Sequence, residues 1–536
     1  MKKTAIIRMI VILFTIHCQL LTLSAQTLNV KVGSVTYQFP ASQCGEMTYS
    51  DGATLTIMGK AFTLSDISSM TVDDTKVKDN LVSIVYSGTS AAVTVAGNVA
   101  QYVEPTISGA YVSIAQSNTA AVDDDEITYQ LSGSSTDGQF ALSGSYKCTV
   151  SLAGVDLTCT TGAAIDISNG KRIELSAKKD TENKLTDCAN GSQKACVYSK
   201  GQLQLQGNGT LNVVGNTKHA IKSGDYITVK NLTLNITSAV GDGINCEEYL
   251  QVKSGTVTIS GVGDDGIQCD LGGDSSTGET TDHEDEDSGN IYIEGGTITI
   301  NCTAQDVKGI KGAGDVNITD GTVSITTSGR EAEGMQSKGA FNISGGHVTV
   351  NAYDDAINSA QDLTISGGYV YARATNNDGI DANGNCYIKG GVVYAIGSSS
   401  PEVAIDANSE EQKKLYVTGG TIVAIGGLES GASLSQACYS ASSWSKNTWY
   451  ALYNGSELAL AFKAPSSGGS TLVVSTSGTT MLKSGVTVSD GTAYFGGMGN
   501  IGGTVSGGSD VTLSSYTGGG GPGGGGGPGG GGGPGH

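Results

Sequence analysis

The sequence predicts an all-β chain built mainly as a parallel β-helix of about ten or eleven coils, with a small β domain at each end. Three observations predict it. The chain holds 80 glycines against 7 prolines and has no stretch with the apolar spacing of an amphipathic helix, a composition of short strands and tight turns. A phrase of acid, glycine or alanine, and isoleucine recurs as GDGINCEE (241–248), GDDGIQCD (263–270), YDDAINSA (353–360) and NNDGIDAN (376–383). Between recurrences lie two more alternating segments around a glycine turn, such as YLQVKSGTVTIS and DLTISGGYVYAR.

Aligned on the apolar residue of that phrase, the repeat runs through Ile165, Val197, Ile221, Ile244, Ile267, Ile310, Met335, Ile357, Ile380 and Ile405. From Val197 the steps are 24, 23, 23, 43, 25, 22, 23 and 25 residues, and the long step contains an acidic insertion, LGGDSSTGETTDHEDEDSG (271–289). Three strands and three corners per unit close into one coil. Coils stacked about 4.8 Å apart then bring every phase-matched residue into a column. A propeller needs about 40 residues and four strands per blade, and no nine-residue GGxGxD period is present.

Taken from the N-terminus, residues 1–25 combine Lys2, Lys3 and Arg8 with an apolar stretch and LTLSAQ, a secretory signal with cleavage after Ala25. A secreted or cell-surface protein is expected, and no later run of about 20 apolar residues could cross a bilayer as a helix. Removal of the signal takes the formal charge from −21 to −24, which excludes nucleic acid as a partner. Residues 26–118 alternate without the repeat and read as a small N-terminal β domain. The helix is assigned to 119–427, and 428–517, with both tryptophans, reads as a β-sandwich-like cap over its open end. The glycine- and proline-rich tail, 518–536, cannot bury a core and is expected to be disordered. A monomer is expected.

The corners carry the chemistry. Two residues before the ladder position stand Asp242, Asp265, Asp355 and Asp378; Asp264 and Asp354 precede two of these, and Asp381 and Asp406 follow the ladder residue. Carboxylates stacked one coil apart repel each other, and a low-dielectric wall sharpens the repulsion. Calcium, which takes six to eight oxygen ligands in irregular geometry, is the natural compensation. The candidate ligands are therefore Asp242, Asp264, Asp265, Asp354, Asp355, Asp378 and Asp381. Aspartate also caps tight turns without any metal. The run DHEDEDSG lacks the spacing and trailing glutamate of an EF-hand loop.

A sugar ring stacks on flat aromatic surface. Tyr371 and Tyr394 share one outward strand phase, and Tyr387 and Tyr416 share another. These four tyrosines are the candidate carbohydrate-binding patch. Trp444 and Trp449 read as core of the C-terminal part. Ten cysteines remain beyond the signal in an oxidising compartment. Cys246 and Cys269 occupy the same phase in successive coils, so a disulfide between them is expected, and Cys188 and Cys196 flank an excursion that a second could close.

From DEITYQLSG (125–133), through ENKLTD (182–187) and the GDGI and DDGI corners, to about residue 517, the chain resembles the bacterial carbohydrate-binding domain family built on a right-handed parallel β-helix. The resemblance implies polysaccharide binding, cellulose-like or acidic and pectin-like, assisted by calcium and without catalysis. Two other functions fit parts of the pattern. Lys308 beside Asp306 and Asp265 imitates the base of a calcium-dependent, pectate-type lyase. A stiff repeat with a glycine tail also suits a structural surface adhesin.

Overall fold

The computed structural model describes residues 26–45, 47–272 and 287–518. The signal segment, residues 273–286 of the acidic insertion and the tail beyond Gly518 lie outside the described residues. A β-solenoid of about 12 turns runs over residues 111–425, one or two more than the sequence predicts. The additional turns are early ones. Tyr111–Gln116 and Gln139–Ser143 stack in parallel beneath Ile165–Ile167 without the acid-glycine phrase in its later phase, since Tyr111 and Gln139 directly precede their ladder residues.

Each predicted ladder step is a parallel pairing. Ile165 faces Val197, Val197 faces Ile221, and the register continues through Ile244, Ile267, Ile310, Met335, Ile357 and Ile380. An isolated bridge carries it on to Ile405. These strands form one twelve-stranded sheet, and the two other strands of each coil stack into a second and a third column. Inward-facing Val, Ile and Leu from all three columns make a core that runs from Leu28 to Val473. The N-terminal strands belong to it. Leu81–Ser87 pairs in parallel with Ile127–Ser135, beneath which Thr27–Val32 and its antiparallel neighbours close that end.

The glycine of the repeated phrase is a packing residue. A Cβ at Gly266 would lie 2.5 Å from Gly309 O and 2.7 Å from Ile300 Cγ2, and one at Gly334 would lie 2.1 Å from Val350 Cγ1. Corner and third column touch at these two positions, so only glycine lets the coil close there without a shift of its neighbours. Gly334→Val is expected to cost roughly 3 kcal/mol or more. Gly170→Ala, where a Cβ meets nothing within 4 Å, is the control; calorimetric melting of both variants checks the contrast.

Residues after the last coil seal and flank the helix. Leu472–Ser475 pairs antiparallel with Thr421–Ile425 and with Cys438–Ala441, covering a strand edge that would otherwise be open. A six-stranded antiparallel sheet, which includes Trp449–Asn454, Glu457–Lys463 and Thr480–Ser489, packs against the outward side of the third column. Among the described residues no helix is long and apolar enough to cross a membrane.

Two expectations are corrected here. Tyr371 and Tyr394 do point outward from the coil, but they are 1% and 0% exposed, because Tyr450, Leu460 and Phe462 of the C-terminal sheet, with Phe495 of the short 3-10 turn between its strands, lie over them. Cys246 and Cys269 are register partners, yet no disulfide joins them. Cys246 Sγ instead donates to Tyr249 O at 3.6 Å. Parallel partners hold their Cβ atoms nearly one strand spacing apart, about 4.8 Å, which is wider than the roughly 3.8 Å a disulfide prefers. Cys188 and Cys196 are also thiols.

Candidate functional site

The corner leading into the ladder sheet positions the acidic column. One oxygen of each aspartate is spent on architecture. Asp242 Oδ1 accepts from Asp265 N at 3.1 Å, Asp265 Oδ1 from Lys308 N at 2.7 Å, Asp355 Oδ1 from Asp378 N at 3.0 Å, and Asp378 Oδ1 from Val403 N at 2.5 Å. Each carboxylate thereby holds the amide of the next coil, the capping use of aspartate extended along a column. The second oxygen is left for other chemistry.

In the early coils that oxygen meets an amide or a cation. Asp242 Oδ2 accepts from Asn245 Nδ2 at 2.7 Å. Lys311 Nζ stands 3.1 Å from Asp265 Oδ2, an ion pair without hydrogen-bond geometry. Burial raises the Asp265 pKa while Lys311 opposes the rise; the Lys311 ammonium, disfavoured by burial, is held above its ordinary value by Asp265. Lys222 Nζ donates to Asn245 Oδ1 at 2.6 Å and Glu247 Oε1 at 2.8 Å. Asp242, Asp264 and Asp265 bring ligand atoms within 4.8 Å of one another, but basic groups surround them.

The late coils lack that compensation. Asp378, Asp381 and Asp406 also place ligand atoms within 4.8 Å, and Asn358 Nδ2 bridges Asp355 Oδ2 at 3.2 Å and Asp381 Oδ2 at 2.8 Å. Burial, reinforced by neighbouring carboxylates, pushes Asp355 up to about 9, Asp378 to about 7, Asp381 to about 6 and Asp406 to about 9. Asp354, Glu402 and Glu429 are among those neighbours, and no basic group contributes. The donor set is carboxylate and amide oxygen without thiolate or imidazole, which fits a hard cation such as calcium. Glu402, three residues before Ile405, and Glu429, one after Leu428, stand at the phases of Asp354 and Asp381, so the period reaches them although neither is among the sequence candidates.

Of the four candidate tyrosines, Tyr387 and Tyr416 remain partly exposed on the second column. Their rings stack at 5.1 Å with an interplanar angle of 11°, and Lys389 Nζ lies 4.9 Å from the Tyr387 centroid. Lys308 meets Asp265 through its backbone amide, not its ammonium. Its ammonium contacts Asp306 Oδ1 at 2.8 Å and Glu333 Oε1 at 3.8 Å.

A parallel β-helix with acidic corners and an aromatic platform defines the class, and comparison with known proteins supplies the family. The model of the carbohydrate-binding domain-containing family matches residues 108–379, and the chain belongs to that family. A carbohydrate-binding domain-containing protein of Acetivibrio thermocellus is 29% identical over 119 residues, 19% of this chain; the match spans 42% of that relative's length. A solved structure described as a polysaccharide lyase-like protein from C. thermocellum, a gadolinium derivative, is 22% identical with a TM-score of 0.38, covering 48% of this chain and 96% of that one.

Proposed function

We propose that this chain is an exported, non-catalytic polysaccharide-binding protein that uses calcium at its late-coil corner. The observation that carries the calcium part is the group of buried Asp378 with half-buried Asp381 and Asp406, for which the described residues provide no balancing cation. A bound divalent ion offsets their repulsion and leaves coordination positions for oxygens of an acidic glycan. The stacked Tyr387 and Tyr416 rings supply a flat face against which a pyranose can lie.

The test is retention on insoluble cellulose and retardation in gels containing pectic polymer, each with calcium and with chelator. Retardation by the acidic polymer is expected to require calcium and to be lost in the Asp378→Asn/Asp406→Asn double variant. Failure to bind any glycan in either condition sinks the reading. Cleavage would need a base free to reach substrate, and Lys308 is instead held by Asp306 and Glu333. Unsaturated-uronate absorbance that disappears in Lys308→Ala would replace binding with lyase activity.

A further inference from the structure

A cavity of about 330 Å³ opens on the ladder face in the early coils, well away in sequence from the late-coil acids. Its size falls at the lower end of the roughly 300–1,000 Å³ typical of small-ligand sites. Charge is unevenly distributed around it. Lys194, Lys218 and Lys222 line one end, and Asp264, Gln268 and Asp270 line the other. Lys194 and Lys218 occupy the same corner position in successive coils, about 4.8 Å apart, and their side chains are exposed. Among the described residues neither ammonium has a carboxylate partner, although the whole chain carries −21.

The wall behind them is rigid. His219 is 3% exposed and accepts the Asp242 amide on Nδ1 at 3.2 Å. Lys222 is also buried, and Asn245 and Glu247 take two of its three N–H donors. At the opposite end Gln268 Nε2 donates to Asp270 Oδ1 at 2.7 Å, which directs the amide oxygen away from that bond and leaves acceptors for hydroxyl groups.

We infer that this cavity is a second glycan subsite, one that takes a uronic acid residue directly, without calcium. The lysine pair meets the sugar carboxylate, and the Asp264, Gln268 and Asp270 acceptors, two coils or about 10 Å beyond Lys218 along the axis, meet hydroxyls of the adjoining sugar. A neutral sugar offers the lysines hydroxyl acceptors but no opposite charge. A simple inorganic anion leaves the acceptor end without donors. The inference rests on the polysaccharide-binding reading but assigns a different site and a metal-independent mode.

The experiment is calorimetric titration of the full chain with a short oligogalacturonate in chelator, with the neutral galactose oligomer of the same length as control. Lys194→Ala/Lys218→Ala changes two exposed side chains, and its melting profile shows whether the fold is intact. Binding in chelator is expected for the acid oligomer alone, to weaken with added salt, and to fall on the order of tenfold or more in the double variant. Equal binding of the neutral oligomer, an unaltered affinity in the lysine variant, or calcium-dependent binding with none in chelator each overturns the subsite while the broader reading stands. Absence of binding in both conditions overturns both.

Discussion

In calcium-free buffer the melting temperature is expected to fall as the pH is raised from about 5 to about 9, and added calcium to restore it most strongly at the alkaline end. Asp355, Asp378, Asp381 and Asp406 are all raised, burial first and neighbouring carboxylates second, to between about 6 and about 9. In the unfolded chain an aspartate loses its proton near 3.9. Between about pH 4 and pH 9 the folded state therefore holds protons that the unfolded state has released, and stability declines as pH rises through that window. The contribution is complete below the unfolded value and is lost as pH passes the folded ones. Across the coupled group the loss is on the order of a few kcal/mol, enough to move melting by roughly 5–10 °C.

Calcium binds the deprotonated carboxylates and so acts in the opposite sense, with an increment that grows with pH. Asp378→Asn/Asp406→Asn should flatten both the pH slope and the calcium increment. Scanning calorimetry at several pH values, with chelator and with calcium, measures each. A melting curve indifferent to pH in chelator would remove the electrostatic argument. A pH slope without any calcium increment would retain that argument and dismiss the ion.

The contrast between the two halves of the acidic column explains what the sequence discloses and what it withholds. A period near 23 residues states which residues share a column, and the ladder from Ile165 to Ile405 follows from it. It also brings Asp242 onto Asp265 and Asp355 onto Asp378. It does not say what neutralises each pair. Lys311 reaches Asp265 from a neighbouring strand, whereas Glu402 and Glu429, in phase with the repeat, add further acid to the late corner. The same limit applies to aromatic residues. Alternation states that Tyr371 and Tyr394 leave the coil, but a sheet formed about 55 residues or more later in the chain determines whether they meet water. The early turns escape the pattern because Val112 and Phe140 continue the ladder with Tyr111 and Gln139, not glycine or alanine, immediately before them.

That difference between the tyrosine pairs predicts a separation of effects. Tyr371→Ala and Tyr394→Ala each remove a fully buried ring at the junction with the C-terminal sheet. There Tyr394 packs edge-on to Phe462 at 5.4 Å, and its hydroxyl donates to Lys463 O at 2.9 Å. Each should cost about 3–5 kcal/mol, the range for deleting a buried aromatic, and should expose the segment after residue 428 to limited proteolysis before the helix is attacked. Tyr394→Phe keeps the ring and loses one hydrogen bond, worth about 1 kcal/mol. Tyr387→Ala and Tyr416→Ala remove partly exposed rings from a surface stack. They should change melting little, within about 1 kcal/mol, and should weaken polysaccharide retention, because the platform needs both rings coplanar. If Tyr371→Ala or Tyr394→Ala lost glycan binding at unchanged melting temperature and protease resistance, the C-terminal sheet could not be a fixed cover over that face. The buried pair would then have to open to ligand, and the second column would lose its claim as the sugar-facing surface.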